Sequence, residues 1–156
     1  MATWADADAL ERAGDAVFDH RVQRAWLADF FANPANLLAI AVADGEVVGM
    51  ASGVVYVHPD KPRQLFVNEV GVAEGYRRRG VGARLLRALL GRGRELGSTE
   101  AWVAAEEDNR AARALYAAAG GAEEAERAVL FVFPLGEQTG AAPSCGHPAL
   151  RVLDDD

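Results

Sequence analysis

The sequence predicts an α/β (or α+β) fold, on three observations. Segments with helical apolar spacing alternate with short β-branched runs, turn residues stand at the junctions, and a glycine–arginine turn joins one strand directly to a leucine-rich helix. The chain has 156 residues, of which 51% are apolar and 25% charged, with a formal net charge of −7. A chain of that length buries roughly 70% of the surface it exposes when unfolded, enough for a real core. The composition excludes a disordered tail, a collagen-like fibre and a disulfide-stapled scaffold. No apolar run reaches the ~18 residues of a membrane span, and the start, MATWADADAL, carries acids where a signal peptide needs bases. The single cysteine, Cys145, forms no internal disulfide and fits a reducing compartment, so a cytoplasmic protein without membrane contact is expected.

Residues 6–19 and 22–32 read as two helices. In the second, Val22, Trp26 and Phe30 recur at four-residue intervals, as do Leu27 and Phe31, which stacks them on one face. Asn33-Pro34 stops that helix. The runs 37–43 and 46–58 form a hairpin about Asp44-Gly45, since this pair readily takes the two positive-φ turn positions. After the Pro-bounded loop 59–63 comes a strand over 64–72. A helix follows at about 81–96, with its apolar stripe at Val81, Leu85, Leu86, Leu89 and Leu90. A strand over 98–106 holds Trp102 and Val103. The helix 108–121 has Asp108 or Asn109 as its cap and Gly120-Gly121 as its stop. A last strand is expected over 128–135. The domain therefore spans 1–136, and 137–156 is a polar tail expected to pack on its own sheet or on a partner subunit.

Charge is informative by location. Seven of the 16 basic residues (Arg77, Arg78, Arg79, Arg84, Arg87, Arg92 and Arg94) lie in the acid-free stretch 77–94, leaving nine bases against 23 acids elsewhere. A nucleic-acid binder spreads its bases over a broad face, so no nucleic-acid partner is expected. The pattern fits local grip on one anionic ligand, with acidic surface left for a cationic one.

That grip has a structural basis. In VNEVGVAEGYRRRGVGARLL a strand ends, a short turn follows, and RRRGVG opens a helix. The first N–H groups of a helix are unpaired and partly positive, and they bind phosphate oxygens. Gly80 and Gly82 allow close approach of an anion. Two other phosphate motifs fail: Gly80 is followed by Val81-Gly82 rather than Lys-Ser/Thr, and Leu85 stands where a dinucleotide fingerprint needs a small residue.

These residues resemble a known family. Arg77-Arg78-Arg79-Gly80-Val81-Gly82 matches the Q/R-x-x-G-x-G/A signature of the GNAT superfamily of acetyl-CoA-dependent N-acetyltransferases. Asn109, Ala112, Leu115-Tyr116 and Gly120 match its N-x-x-A-x-x-L-Y-x-x-x-G segment. The resemblance covers about residues 37–135. It implies a mixed, strongly bent central sheet flanked by helices and splayed between strands 64–72 and 98–106, with pantetheine in the gap. It further implies that Arg77, Arg78, Arg79, Gly80, Val81, Gly82 and Ala83 hold the pyrophosphate of acetyl-CoA. Val70 and Val72 would pair with the pantetheine amides, with Asn109 and Ala112 beside the cofactor. One departure stands out: the family begins with a strand before its first helix, and only Met1-Ala2-Thr3-Trp4 precedes this one. The first strand is expected to be truncated or replaced.

Acetyl transfer to an amine needs a neutral amine, a stabilised oxyanion and a proton for the leaving thiolate. Tyr116 matches the family's tyrosine that points at the cofactor sulfur. Glu69, mid-strand among apolar neighbours, is the expected base, since a carboxylate there is costly without a task or a partner. A strand N–H near Val70–Val72 would hold the oxyanion. Glu106, Glu107 and Asp108, with Asp60 from the loop 59–63, are candidate carboxylates for a cationic acceptor, alongside Glu69. His20 and His58 are apart in sequence and no cluster has metal-ligand spacing, so no metal is expected. Cys145 and His147 lie in the tail, far from the motif.

The segments FDHRV, VVYVHPDKPRQLFVNEVGV and RRRGVGARLL are further similar to the type I aminoglycoside 3-N-acetyltransferases. That likeness implies a small polycationic acceptor, with transfer to the 3-amine of an aminoglycoside, and a homodimer. Two alternatives remain: an acetyltransferase for another amine (a polyamine, an amino acid or a protein N-terminus), and a non-catalytic CoA-binding module.

Overall fold

The computed structural model describes residues 1–14, 17–125 and 129–135. The chain divides into two units, Met1–Glu123 and Glu124–Asp156. In the first unit a 3-10 turn, Trp4–Asp6, leads into α1 (Ala7–Arg12), followed by α2 (Arg24–Ala32), β1 (Asn36–Ala43), β2 (Glu46–Tyr56), β3 (Gln64–Val72), a second 3-10 turn, Glu74–Tyr76, then α3 (Val81–Glu95), β4 (Glu100–Trp102) and α4 (Arg110–Ala118). The four strands form one mixed sheet in chain order, antiparallel from β1 to β3 and parallel between β3 and β4.

The hairpin forms as expected, with Asp44 at φ 52° and Gly45 at φ 79°. Successive β1 residues then serve opposite faces of the sheet. Leu37 and Ala39 join Val55, Leu65, Val67 and the α3 stripe Val81, Leu85, Leu86 and Leu89; Leu38 joins Met50, Val47 and the α1–α2 residues Leu10 and Leu27. Burying each such leucine contributes about 1.5–3 kcal/mol, so each helix is held chiefly by the face it turns to the sheet.

Several expectations change. The first helix ends at Arg12, well short of residue 19, because Gly14 follows and the chain turns to bring Val17 into the core. In α2 only Leu27 is fully buried, and Trp26 points to solvent at 60% exposure. The strand expected over 98–106 pairs only at Glu100–Trp102, and Val103 lies beyond it. Residues 129–135 carry no strand pairing, and Val129, Leu130, Phe131, Val132, Phe133 and Leu135 are exposed. Apolar β-propensity makes a segment able to pair but does not supply the ladder it needs. Ala128, the 137–156 tail, Cys145 and His147 lie outside the described residues.

The Ala2 amide donates to the Leu38 carbonyl at 2.7 Å, and Thr3 caps the turn that follows. Among the described residues, no helix is long and apolar enough to cross a membrane.

Candidate active site

Two local irregularities in β3 build the site. The first is a bulge. β2 and β3 pair Gly53 with Val67 and Ser52 with Glu69, leaving Asn68 as an extra residue. A bulge reverses the facing of everything beyond it. Leu65 and Val67 therefore pack against α3, and so do Val70 and Val72, while Glu69 and Gly71 face the α1–α2 side. Without the bulge Glu69 would face α3 and the two valines the α1–α2 side; the bulge exchanges these faces.

The second is divergence. β3 and β4 pair only from Gln64↔Glu100 to Phe66↔Trp102, whereas β3 runs on to Val72. Among the described residues the edge of β3 beyond Phe66 thus has no strand partner on that side, which leaves outward N–H and C=O groups to an extended ligand. This is the splay expected between 64–72 and 98–106.

The cradle stands at the far end of β3. Gly80, at φ 75°, is the N-cap of α3, and Arg78 takes φ 59°. A left-handed residue followed by helical Val81 turns consecutive N–H groups to one side, a concavity suited to an anion. Positive φ at Arg78 is a strained choice for a residue with a Cβ, and such strain collects at binding sites. Arg77, Arg78 and Arg79 are exposed. Arg77 Nε donates to the Val72 carbonyl at 2.9 Å, and the Arg79 guanidinium lies 5.5 Å from the Tyr76 ring centroid. A Cβ on Gly82 would meet Leu115 at 3.4 Å and Val72 at 3.7 Å, so this turn is packed against both α4 and β3. The cradle therefore suits a phosphate-bearing molecule whose tail extends along the open edge of β3.

Glu69 is half-buried and its carboxyl is raised above the ordinary value, first by burial and then by the Asp19 carboxylate, with His20 acting in the opposite sense. The segment carrying Asp19 and His20 reaches β3 because Gly71 leaves room: a Cβ there would stand 2.2 Å from the Val17 carbonyl oxygen. Tyr116 sits on the other side of the sheet, packed against the α3 core, and burial raises its phenol. It lines a cavity of about 220 Å³ with Val67, Leu86, Trp102 and Val103.

The other expected residues are placed less centrally. Asn109 caps α4, its Oδ1 accepting the Ala112 amide at 3.0 Å, so that donor is already used within the helix. Glu106, Glu107 and Asp108 form the exposed turn between β4 and α4, where Arg113 donates to the Glu107 carbonyl at 2.9 Å. Asp60 sits on the loop entering β3, at the opposite end of that strand from the cradle. The sequence reading missed Asp19 and the bulge. The change of phase from Leu65 and Val67 to Val70 and Val72 is the signal that marks the bulge. Among the described residues no group of His, Cys, Asp and Glu could hold a metal ion.

The model of the acetyltransferase (GNAT) family matches residues 3–120, most of the chain. The chain belongs to that family. Its members take acetyl from acetyl-CoA, which accords with the phosphate cradle and open strand edge described above. The chain is similar to the L-2,4-diaminobutyric acid acetyltransferase of Nocardia farcinica (strain IFM 10152), with 34% identity over 93 residues, 60% of this chain and 45% of that protein. The matched part spans less than half the length of such curated relatives. Among solved structures, an aminoglycoside acetyltransferase (meta-AAC0020) from an uncultured soil metagenomic sample, in complex with sisomicin, aligns with a TM-score of 0.74 and 20% identity, over 86% of this chain and 93% of that one. The aminoglycoside acetyltransferase AAC(6')-Iy, in complex with a bisubstrate analogue, aligns with a TM-score of 0.70 and 23% identity, over 85% of this chain and 95% of that one. At these identities the two structures carry the GNAT fold alone.

Proposed function

We propose that this GNAT member transfers acetyl from acetyl-CoA to a primary amine of a small cationic acceptor. The observation that carries the reading is the placement of Glu69. A half-buried carboxylate faces the α1–α2 side at the stretch where β3 has lost its β4 partner, with the cradle at the end of the same strand and Tyr116 on the other face. Arg77 to Ala83 hold the pyrophosphate, and the pantetheine runs along the open β3 edge by Val70 and Val72. The acceptor ammonium enters from the α1–α2 side and loses a proton to Glu69, directly or through a water. The neutral nitrogen attacks the thioester carbonyl, and an N–H of the open edge of β3 stabilises the oxyanion. Collapse breaks the C–S bond, Tyr116 gives its proton to the leaving thiolate, and the products are an N-acetyl amine and CoA. A raised Glu69 is a stronger base, and a raised Tyr116 stays protonated to act as the acid.

For the acceptor, the likeness to aminoglycoside 3-N-acetyltransferases and the acid-rich body favour an aminoglycoside. The two solved aminoglycoside acetyltransferases share their fold with this chain and do not bear on the 3-amine. A second reading, a diamino acid, is favoured by the diaminobutyrate acetyltransferase relative. Thiol release from acetyl-CoA, measured across aminoglycosides, 2,4-diaminobutyrate, polyamines and peptides, tests the proposal, with the acetylated position read by NMR. Stimulation by an aminoglycoside alone supports the first reading, and stimulation by diaminobutyrate alone supports the second. Release with none of these amines would sink both.

A further inference from the structure

The sheet face that carries Glu69 also carries a row of side chains with no part in the chemistry above. Cross-strand partners share a face, so Ser52↔Glu69, Val54↔Phe66 and Tyr56↔Gln64 place Glu69, Phe66 and Gln64 together, and the β3–β4 pairs add Glu100 and Trp102. These groups are bonded into a chain. Trp102 Nε1 donates to Tyr56 Oη at 2.6 Å, Tyr56 Oη donates to Gln64 Oε1 at 2.7 Å, and Gln64 Nε2 donates to Glu100 Oε1 at 2.8 Å. The Trp102 ring also lies on Phe66, with centroids 4.3 Å apart and planes at 36°.

Trp102 is nevertheless 45% exposed. A single exposed apolar residue means little. An indole fixed at its N–H by one neighbour and stacked on another, with its remaining surface in water, is a pre-organised platform. Its electrostatic setting selects the occupant. The Glu100 carboxylate lies at one end of the row and Glu69 at the other, with Asp19 acting on Glu69. An indole face between carboxylates attracts a cation.

Resting on the acetyltransferase reading, we propose that Trp102, with Glu100 beside it, holds a second ammonium group of the acceptor. Glu69 and Phe66 lie opposite Ser52 and Val54, two residues apart on β2, and Trp102 stands one strand beyond Phe66, which puts that group roughly 8 Å from the reacting amine. The row then acts as a ruler, favouring extended polyamines and amino-sugars over short diamines.

The test is thiol release with acetyl-CoA and acceptors of two lengths: sisomicin and 1,8-diaminooctane, which span both positions, and 1,3-diaminopropane, which does not. Trp102→Ala is expected to raise KM for the long acceptors about tenfold, the scale of one partly desolvated cation–π contact, leaving KM for 1,3-diaminopropane and acetyl-CoA unchanged. Trp102→Phe, which keeps a ring face and loses the bond to Tyr56, restores most of the affinity. Glu100→Gln raises the same KM values severalfold. Equal effects of Trp102→Ala on long and short acceptors, or a Trp102→Phe variant as impaired as the alanine, would overturn the ruler and leave the acetyltransferase reading standing. Wild-type protein releasing no thiol with any amine would overturn that reading and the ruler with it.

Discussion

The Val17 carbonyl lies directly over Gly71, so close that a Cβ at residue 71 would stand 2.2 Å from its oxygen. The obstacle is backbone and cannot rotate aside. Gly71→Ala must therefore displace either β3 or the segment that brings Asp19 and His20 to Glu69. We expect a stability loss of about 1–3 kcal/mol, as in other overpacked cores, measured by urea denaturation. Activity should fall further than stability accounts for, because the surroundings of Glu69 change as well. An alanine variant as stable as the parent would show that the two backbones separate freely.

Glu69→Gln should lower kcat by about 10²-fold or more, the usual contribution of a positioned base. Its pH signature follows from the raised carboxyl. In the parent, kcat/KM declines on the acid side as Glu69 takes up a proton, at a pH above the ordinary carboxylate range, and the glutamine variant loses that limb. Stability changes in the opposite sense to activity. Between the unfolded and the raised folded value, the folded state binds more protons, so stability contributed by protonated Glu69 is full at lower pH and is lost as pH rises through the folded value. The glutamine variant should show a flatter stability profile across that window by thermal denaturation.

How far the site was legible in the sequence depends on which residues carry it. The Asp44-Gly45 turn, the strand at 64–72 and the α3 stripe followed from local chemistry and appear where expected. So did Gly80 at the head of α3, since a phosphate turn needs that glycine. What local pattern could not supply was partnership. The run 98–106 reads as a strand around Trp102 and Val103, yet only Glu100–Trp102 finds a neighbour, because β3 and β4 diverge. Residues 129–135 show the same limit. Trp26 sits at a core-like helical position by its spacing from Val22 and Phe30, yet it is exposed, since spacing does not say what a helix face meets. Asp19 reaches Glu69 only through the crossing at Gly71, a long-range contact that no spacing rule contains.

Tyr116→Phe separates the proton-donor role from packing. The ring stays in the cavity beside Val67 and Leu86, and only the hydroxyl is lost. We expect kcat to fall about 10²-fold with KM for acetyl-CoA nearly unchanged, since the hydroxyl acts on the leaving thiolate. An acetyl donor with a more acidic thiol should recover much of the loss. A phenylalanine variant with full kcat would assign Tyr116 to packing alone.

The left-handed residues of the cradle allow binding to be separated from folding. Gly80→Ala forces a Cβ onto φ 75°, which costs about 1–2 kcal/mol, although no neighbouring atom stands in its way. It also tilts the first N–H groups of α3 away from the anion, so KM for acetyl-CoA should rise at least tenfold. Arg78→Gly works in the other direction on the backbone, relieving the strain at φ 59° while deleting a guanidinium. Its unfolding free energy should stay level or increase slightly, while its affinity for CoA, measured by calorimetry, falls severalfold and becomes less sensitive to salt. If Arg78→Gly bound CoA as tightly as the parent, the strained backbone at that position would have no role in holding the pyrophosphate.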